Sequence, residues 1–214
     1  MAKRKRAYEN DFPSVTQVLD CLRKPGLENW YKVNTPQFIQ EAMVKGRTIG
    51  TATHAAIESY INNGSLTIDT EYPDEVTMAL NSFALFRKEH SEIRLSNSEL
   101  KMTSLLHNFN GTMDIVGELN QVIIAGDWKT TAAKEKEKPE IYDEAKTQMS
   151  AYVALYNEVF LGKIDRAFIV ALAKDKIAYA FEIIEKEELE SRFNEIFLSA
   201  LKIKNYNKKH KKEN

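Results

Sequence analysis

Apolar positions follow two different rhythms along this chain. Up to about residue 92 they recur every three or four residues, the spacing of helices that bury one face; from 94 to 128 they form short alternating runs broken by Asn and Gly, the pattern of strands. Ser14 is placed to cap a helix from Val15 to Arg23, which Lys24-Pro25-Gly26 should end. A second short helix is predicted around Glu28–Lys32. Thr35-Pro36 is a cap followed by proline and opens a longer helix to about Lys45. Gly46 to Gly50 is predicted to interrupt it, and a further helix, Thr51 to Ile61, should stop at Asn62-Asn63-Gly64. Pro73 opens an amphipathic helix with Val76, Leu80, Phe83 and Phe86 on one side.

Three strands follow, at about 94–106, 110–118 and 121–128. The connections through His107–Gly111 and Leu119-Asn120-Gln121 are short, so these strands should form an antiparallel meander. A polar loop from Thr130 to Lys138 leads into a long helix, Glu140 to Phe160. Ile164–Ala173 and Lys176–Ile184 then read as a hairpin around Lys174-Asp175, and a last helix runs from Glu187 to about Tyr206. This order predicts an α/β fold: a central mixed sheet, made of the meander and the C-terminal hairpin strands, flanked by helices and preceded by a helical region. The expected divisions are a flexible basic arm at 1–12, a helical N-terminal region at 13–92, a core at 93–206 and a basic tail at 207–214.

Composition narrows the class of protein. Ten Phe, nine Tyr and two Trp supply a real core. The net charge is only −1, yet the positive charge gathers at the ends: Lys3, Arg4, Lys5 and Arg6 at one, and Lys202, Lys204, Lys208, Lys209, Lys211 and Lys212 at the other. Such a distribution suits a polyanionic partner even when the sum is near zero. Cys21 is the single cysteine, which excludes an internal disulfide and a cysteine-held iron–sulfur cluster. No run approaches the ~20 apolar residues that span a bilayer. The basic start leads into Tyr8-Glu9-Asn10-Asp11, not an apolar signal core. A soluble cytoplasmic protein with no membrane partner is expected.

The chemistry concentrates in Gly126-Asp127-Trp128-Lys129-Thr130, directly after the apolar run Val122-Ile123-Ile124-Ala125. Strand alternation sends Asp127 and Lys129 to one face and Trp128 to the other. An acid and an amine side by side at the end of an apolar strand suit a metal site that hydrolyses phosphodiesters. The same triplet at Glu144-Ala145-Lys146 falls in a predicted helix, where residues two apart do not face each other. Asp114, in Gly111-Thr112-Met113-Asp114-Ile115-Val116, is a lone acid inside an apolar strand, costly unless paired or metal-bound. Alternation should put Thr112, Asp114 and Val116 on one face, and the short turn should bring Asp127 near Asp114. His54 sits among small residues in Gly50-Thr51-Ala52-Thr53-His54-Ala55-Ala56, with Glu58 one turn on. An imidazole in an oxygen-rich site admits Mn²⁺ beside Mg²⁺. Gln148 and Tyr152 share a face of the long helix.

Together, Gly50–His54 (G-x-x-x-H), Glu99, Gly111–Asp114, Asp127–Thr130 and Gln148–Tyr152 (Q-x-x-x-Y) resemble the RecB-type branch of the PD-(D/E)xK nuclease superfamily. The resemblance covers roughly residues 46 to 156. It is similar in layout to the stand-alone exonuclease of mitochondrial genome maintenance and its phage-encoded relatives. It implies a restriction-endonuclease-like core, a Mg²⁺ or Mn²⁺ cofactor without an iron–sulfur cluster, and DNA as substrate, most naturally cut by exonuclease action in replication, recombination or repair. By that resemblance His54, Asp114, Asp127 and the Trp128 backbone carbonyl would hold metal, and Lys129 would activate the water. Gln148 and Tyr152 would orient substrate, with Glu99 and Glu58 as accessories. The alternatives are an endonuclease of the same fold and a non-cutting DNA-binding or interaction protein. Trp30-Tyr31 offers aromatic stacking surfaces for single-stranded DNA.

Overall fold

The computed structural model describes residues 11–210. The basic residues at 3–6, and Lys211 and Lys212, lie outside the described residues. Among the described residues, seven α-helices and five strands follow one another as α1 (Val15–Leu19), α2 (Pro25–Val33), α3 (Pro36–Asn63), α4 (Pro73–Glu89), β1 (Arg94–Ser104), β2 (Phe109–Leu119), β3 (Val122–Thr131), α5 (Asp143–Phe160), β4 (Arg166–Ala173), β5 (Tyr179–Glu185), α6 (Lys186–Ser191) and α7 (Leu198–His210). A π-helical turn, Arg192–Phe197, joins the last two.

The N-terminal helices depart from expectation in instructive ways. Ser14 does cap α1, in a reciprocal box with Gln17. Pro25 begins α2 rather than ending α1, because a proline at the first helical position loses no hydrogen bond. Gly46 and Gly50 do not interrupt the helix they were expected to break; α3 runs straight through both for 28 residues. Each glycine costs roughly 1 kcal/mol, and the burial of Ile49, Thr53, Ala56 and Ile57 around them offsets it. Gly50 has a packing reason to be there, since a Cβ at this position would lie 3.3 Å from Thr130 Oγ1 on β3. The helix ends at Gly64, whose φ of 72° is the left-handed cap glycine supplies easily.

The five strands form one sheet in the order β1-β2-β3-β4-β5. β1, β2 and β3 are antiparallel neighbours, β3 and β4 pair in parallel through the α5 crossover, and β4 and β5 are antiparallel. This is the mixed α/β sheet expected. Alternate residues serve two cores. Ala125, Ala167 and Ile169 join a cluster with Val15, Met149, Leu155, Phe197 and Leu201 from the α1, α5 and α7 side. Ile124, Trp128, Phe168 and Val170 join another with Ile57, Phe83 and Phe86 from α3 and α4. Helices therefore cover both faces. Among the described residues no helix is long and apolar enough to cross a membrane.

β3 continues to Thr131, past the predicted end at 128, because Trp128 to Thr131 pair with Val170 to Ala173 of β4. The expected single C-terminal helix is instead divided by the π turn, where Phe193 and Phe197 stack at 5.7 Å and Phe197 meets Phe109 edge-on at 4.9 Å. Just before Asp127, the Phe168 ring lies where a Gly126 Cβ would be, with Cζ 2.1 Å away. Gly126→Ala is therefore expected to cost about 2 kcal/mol or more through overpacking, measured as a lower urea midpoint at unchanged m-value.

Candidate active site

β3 builds the site from its own alternation. Trp128 turns into the α3/α4 core, ringed by Phe83, Phe86 and Phe168 at 5.3, 5.8 and 5.7 Å, and holds the strand in place. Asp127 and Lys129 turn the other way, with Lys129 Nζ 2.6 Å from Asp127 Oδ2. Both Asp127 oxygens are fully buried, and beyond this ion pair no described residue donates a hydrogen bond to them. A buried carboxylate in this condition is costly unless something else satisfies it.

β2 breaks the alternation that was expected of it. Met113 and Val116 both pack in the α5-side core while Ile115 packs in the other, so Asp114 and Val116 do not share a simple strand face. The reason is an irregularity centred on Asp114. Cα pairing of β2 with β3 begins only at Ile115↔Gly126, and Trp128 N–H donates to Asp114 Oδ2 at 3.0 Å instead. On the other side, β1 pairs Ser98↔Ile115 and Leu100↔Met113, with Glu99 between them at φ 51°. A left-handed non-glycine residue inside a strand costs roughly 1–3 kcal/mol.

α3 completes the group. Held against β3 by the Gly50–Thr130 contact, it presents His54 with Nδ1 3.4 Å from Asp114 Oδ2. His54, Glu99 and Asp114 each offer a donor atom, all within 4.8 Å of one another. Two carboxylates and an imidazole, without a thiol, suit a hard divalent cation. Asp127, expected to join them, is not among the donors that close within 4.8 Å, although Asp114 and His54 lie near enough to act on its charge. The group opens into a cleft of about 390 Å³ lined by Gly50, Thr51, His54, Ala55, Glu58 and Glu99.

The charges interact as one unit. Burial pushes the Asp127 carboxyl up to about 6; Lys129 opposes that rise and Asp114 adds to it. For Lys129, burial pulls downward but is outweighed by Asp127 and Asp114, so its pKa rises and it stays protonated. Glu99 is raised chiefly by burial, eased by His54 and reinforced by Glu58.

Gln148 and Tyr152 hydrogen-bond each other at 2.8 Å. Tyr152 is buried, its ring 3.0 Å from where a Gly111 Cβ would be, so it supports β2 rather than forming a solvent edge. The Glu144-Ala145-Lys146 triplet splits as helix geometry requires: Glu144 pairs with Lys24 at 2.8 Å, and Lys146 with Glu182. Glu144 nonetheless reaches Lys129 electrostatically and helps raise it. Nothing local to 144–146 signals that role, because it depends on how α5 returns across β3.

No family model matches the chain, and no curated protein matches it. Among solved structures, a provisionally assigned exonuclease from Eubacterium rectale aligns over 96% of this chain and 87% of its own, with TM-score 0.54 and 16% identity. At that identity the likeness is one of fold: a mixed sheet flanked by helices. An alkaline exonuclease from Laribacter hongkongensis (94% and 93% covered, TM-score 0.41, 14% identity) and a phage-related exonuclease from Haemophilus somnus (75% and 82%, 0.41, 15%) also align.

Proposed function

We propose that this chain is a divalent-metal-dependent DNA nuclease of the RecB-like PD-(D/E)xK type, acting as an exonuclease. The observation that carries this reading is the buried, hydrogen-bond-starved Asp127 with Lys129 against it, next to the His54, Glu99 and Asp114 donors. His54, Asp114 and Asp127 are the metal-holding side chains, with Glu99 beside them. Trp128 adds its carbonyl: an extended residue turns its C=O to the same side as its N–H, and that N–H faces Asp114. When bound, Mg²⁺ or Mn²⁺ would supply Lewis acidity toward the scissile phosphate and acidify a water.

Lys129 holds its positive charge where the phosphate oxygens become more negative as phosphorus turns five-coordinate, and it orients the attacking water. Asp127 keeps Lys129 in that position. Trp128 locks the strand, so both groups meet the substrate without reorganising. Gln148 braces Tyr152 behind β2, and Glu58 adds negative potential at the cleft wall. The basic α7 and chain ends would track the DNA backbone, giving steep salt dependence. The cellular setting that fits is the cytoplasm, with replication or recombination proteins as partners.

The test is a digestion series in Mg²⁺, Mn²⁺ or EDTA on 5′- and 3′-labelled single- and double-stranded DNA, beside a closed circle. Metal-dependent loss of mononucleotides from linear DNA, with the circle spared, is the expected result. Cutting of the circle would make the enzyme an endonuclease. DNA retardation on a gel without cleavage in either metal would make it a binding protein.

A further inference from the structure

Arg47 is exposed, and no described residue forms an ion pair with it. Its helix gives it no acid to meet: the positions three and four away are Met43, Val44, Gly50 and Thr51. It stands seven residues before His54, two turns of α3, so the two side chains share a stripe about 10 Å apart along the axis. Only Gly50 and Thr51 lie between them on that side, and both line the cleft. Gly50 sits on Thr130, one residue before the end of β3, and Arg47 lies one turn of α3 before Gly50.

Two lysines also stand near that strand end. Lys174 is tied to the same strand end by its N–H to Thr131 O at 3.0 Å, and it forms no ion pair among the described residues. Lys45, close enough to lower its pKa after burial does, is paired with Glu75 at 2.5 Å. Asp175, the neighbouring acid, accepts from the N–H groups of Ala133 and Lys134, and with Glu75 it partly offsets Lys174; neither acid forms an ion pair with Arg47. An unneutralised guanidinium next to an open floor that begins at a metal-donor group fits a backbone phosphate, which a planar fork of N–H donors binds in two-pronged fashion.

We propose that Arg47 is a positioning residue that grips the DNA phosphate adjacent to the one being cut, so that the uncleaved strand leaves the site toward the N-terminal end of α3. This rests on the nuclease reading above. The test compares wild type, Arg47→Ala and Arg47→Lys with Lys163→Ala, an exposed lysine at the α5–β4 connection, as control. Steady-state cleavage is measured, together with binding of a fluorescein-labelled oligonucleotide in EDTA across a NaCl series. Arg47→Ala should raise KM about tenfold and leave kcat within about twofold. It should also make the slope of log K against log [NaCl] shallower by about 0.7–0.9, one phosphate contact, and Arg47→Lys should restore that slope. If Arg47→Ala matches the control in KM and slope while the wild type binds and cuts, the proposal is overturned and the nuclease reading stands. A fall in kcat at unchanged KM also overturns it. Wild-type protein that neither binds nor cuts DNA overturns both.

Discussion

Replacing Asp127 by Asn is expected to lower DNA cleavage by about 10³-fold or more and, in the same protein, to raise stability in the absence of metal. The two effects have one cause. Asp127 is buried with both oxygens lacking hydrogen bonds, and burial lifts its pKa from the usual 3.8 to about 6. A carboxyl whose folded pKa lies above its unfolded one contributes stability that is fully present below about pH 4. That stability is lost as the pH rises through 6. Above pH 6 the metal-free wild type therefore carries a penalty of up to about 3 kcal/mol, at 1.36 kcal/mol per pKa unit, the attraction of Lys129 being already contained in that shift. Asparagine has no charge to desolvate. The melting temperature of Asp127→Asn, taken in EDTA, should exceed wild type at pH 7.5 and converge with it near pH 4. Added Mn²⁺ should reverse the order by stabilising the wild type alone. A variant less stable than wild type at every pH would show that Asp127 is a satisfied structural acid.

Lys129→Ala should separate binding from chemistry. Its amine is 2.6 Å from Asp127 Oδ2, and its charge is held by Asp127 and Asp114. Removing a preorganised charge aimed at a transition state costs about 10²–10³-fold in kcat. It should not weaken the affinity for Mn²⁺, since the change takes a cation away from the site. Single-turnover cleavage and a Mn²⁺ titration on the same preparation measure both quantities. Loss of metal affinity in step with loss of rate would mean that Lys129 acts only as a brace for the ligands.

How much of this could be read from the residues depends on how local each feature is. The opposed facing of Asp127 and Trp128 follows from strand periodicity over three residues, and the fold bears it out. The α4 stripe of Val76, Leu80, Phe83 and Phe86 was legible for the same reason, and all four are buried. The full length of β3 was not, because its last residues are held by β4, some forty residues on and reached only through α5. Gly46 and Gly50 misled because propensity is a local cost, whereas the packing that outweighs it is tertiary. The placement of Asp114 was misjudged for a subtler reason. Strict alternation assumes regular pairing, and the left-handed Glu99 with the Asp114–Trp128 hydrogen bond suspends it at that one position. No pattern in Ser98-Glu99-Leu100 announces this. Glu99 consequently joins His54 and Asp114 more closely than its place as an accessory suggested.

The central proposition is that the imidazole of His54 and the carboxylates of Asp114 and Asp127 serve one ion. Mn²⁺ binding, followed by electron paramagnetic resonance or calorimetry at pH 7.5, tests this most directly in wild type, His54→Ala, Asp114→Asn and Asp127→Asn. The expected result is saturable binding by the wild type, weakened at least about tenfold by each substitution, with the circular dichroism spectrum unchanged. Equal Mn²⁺ affinity in all four proteins, or none in the wild type, would contradict it.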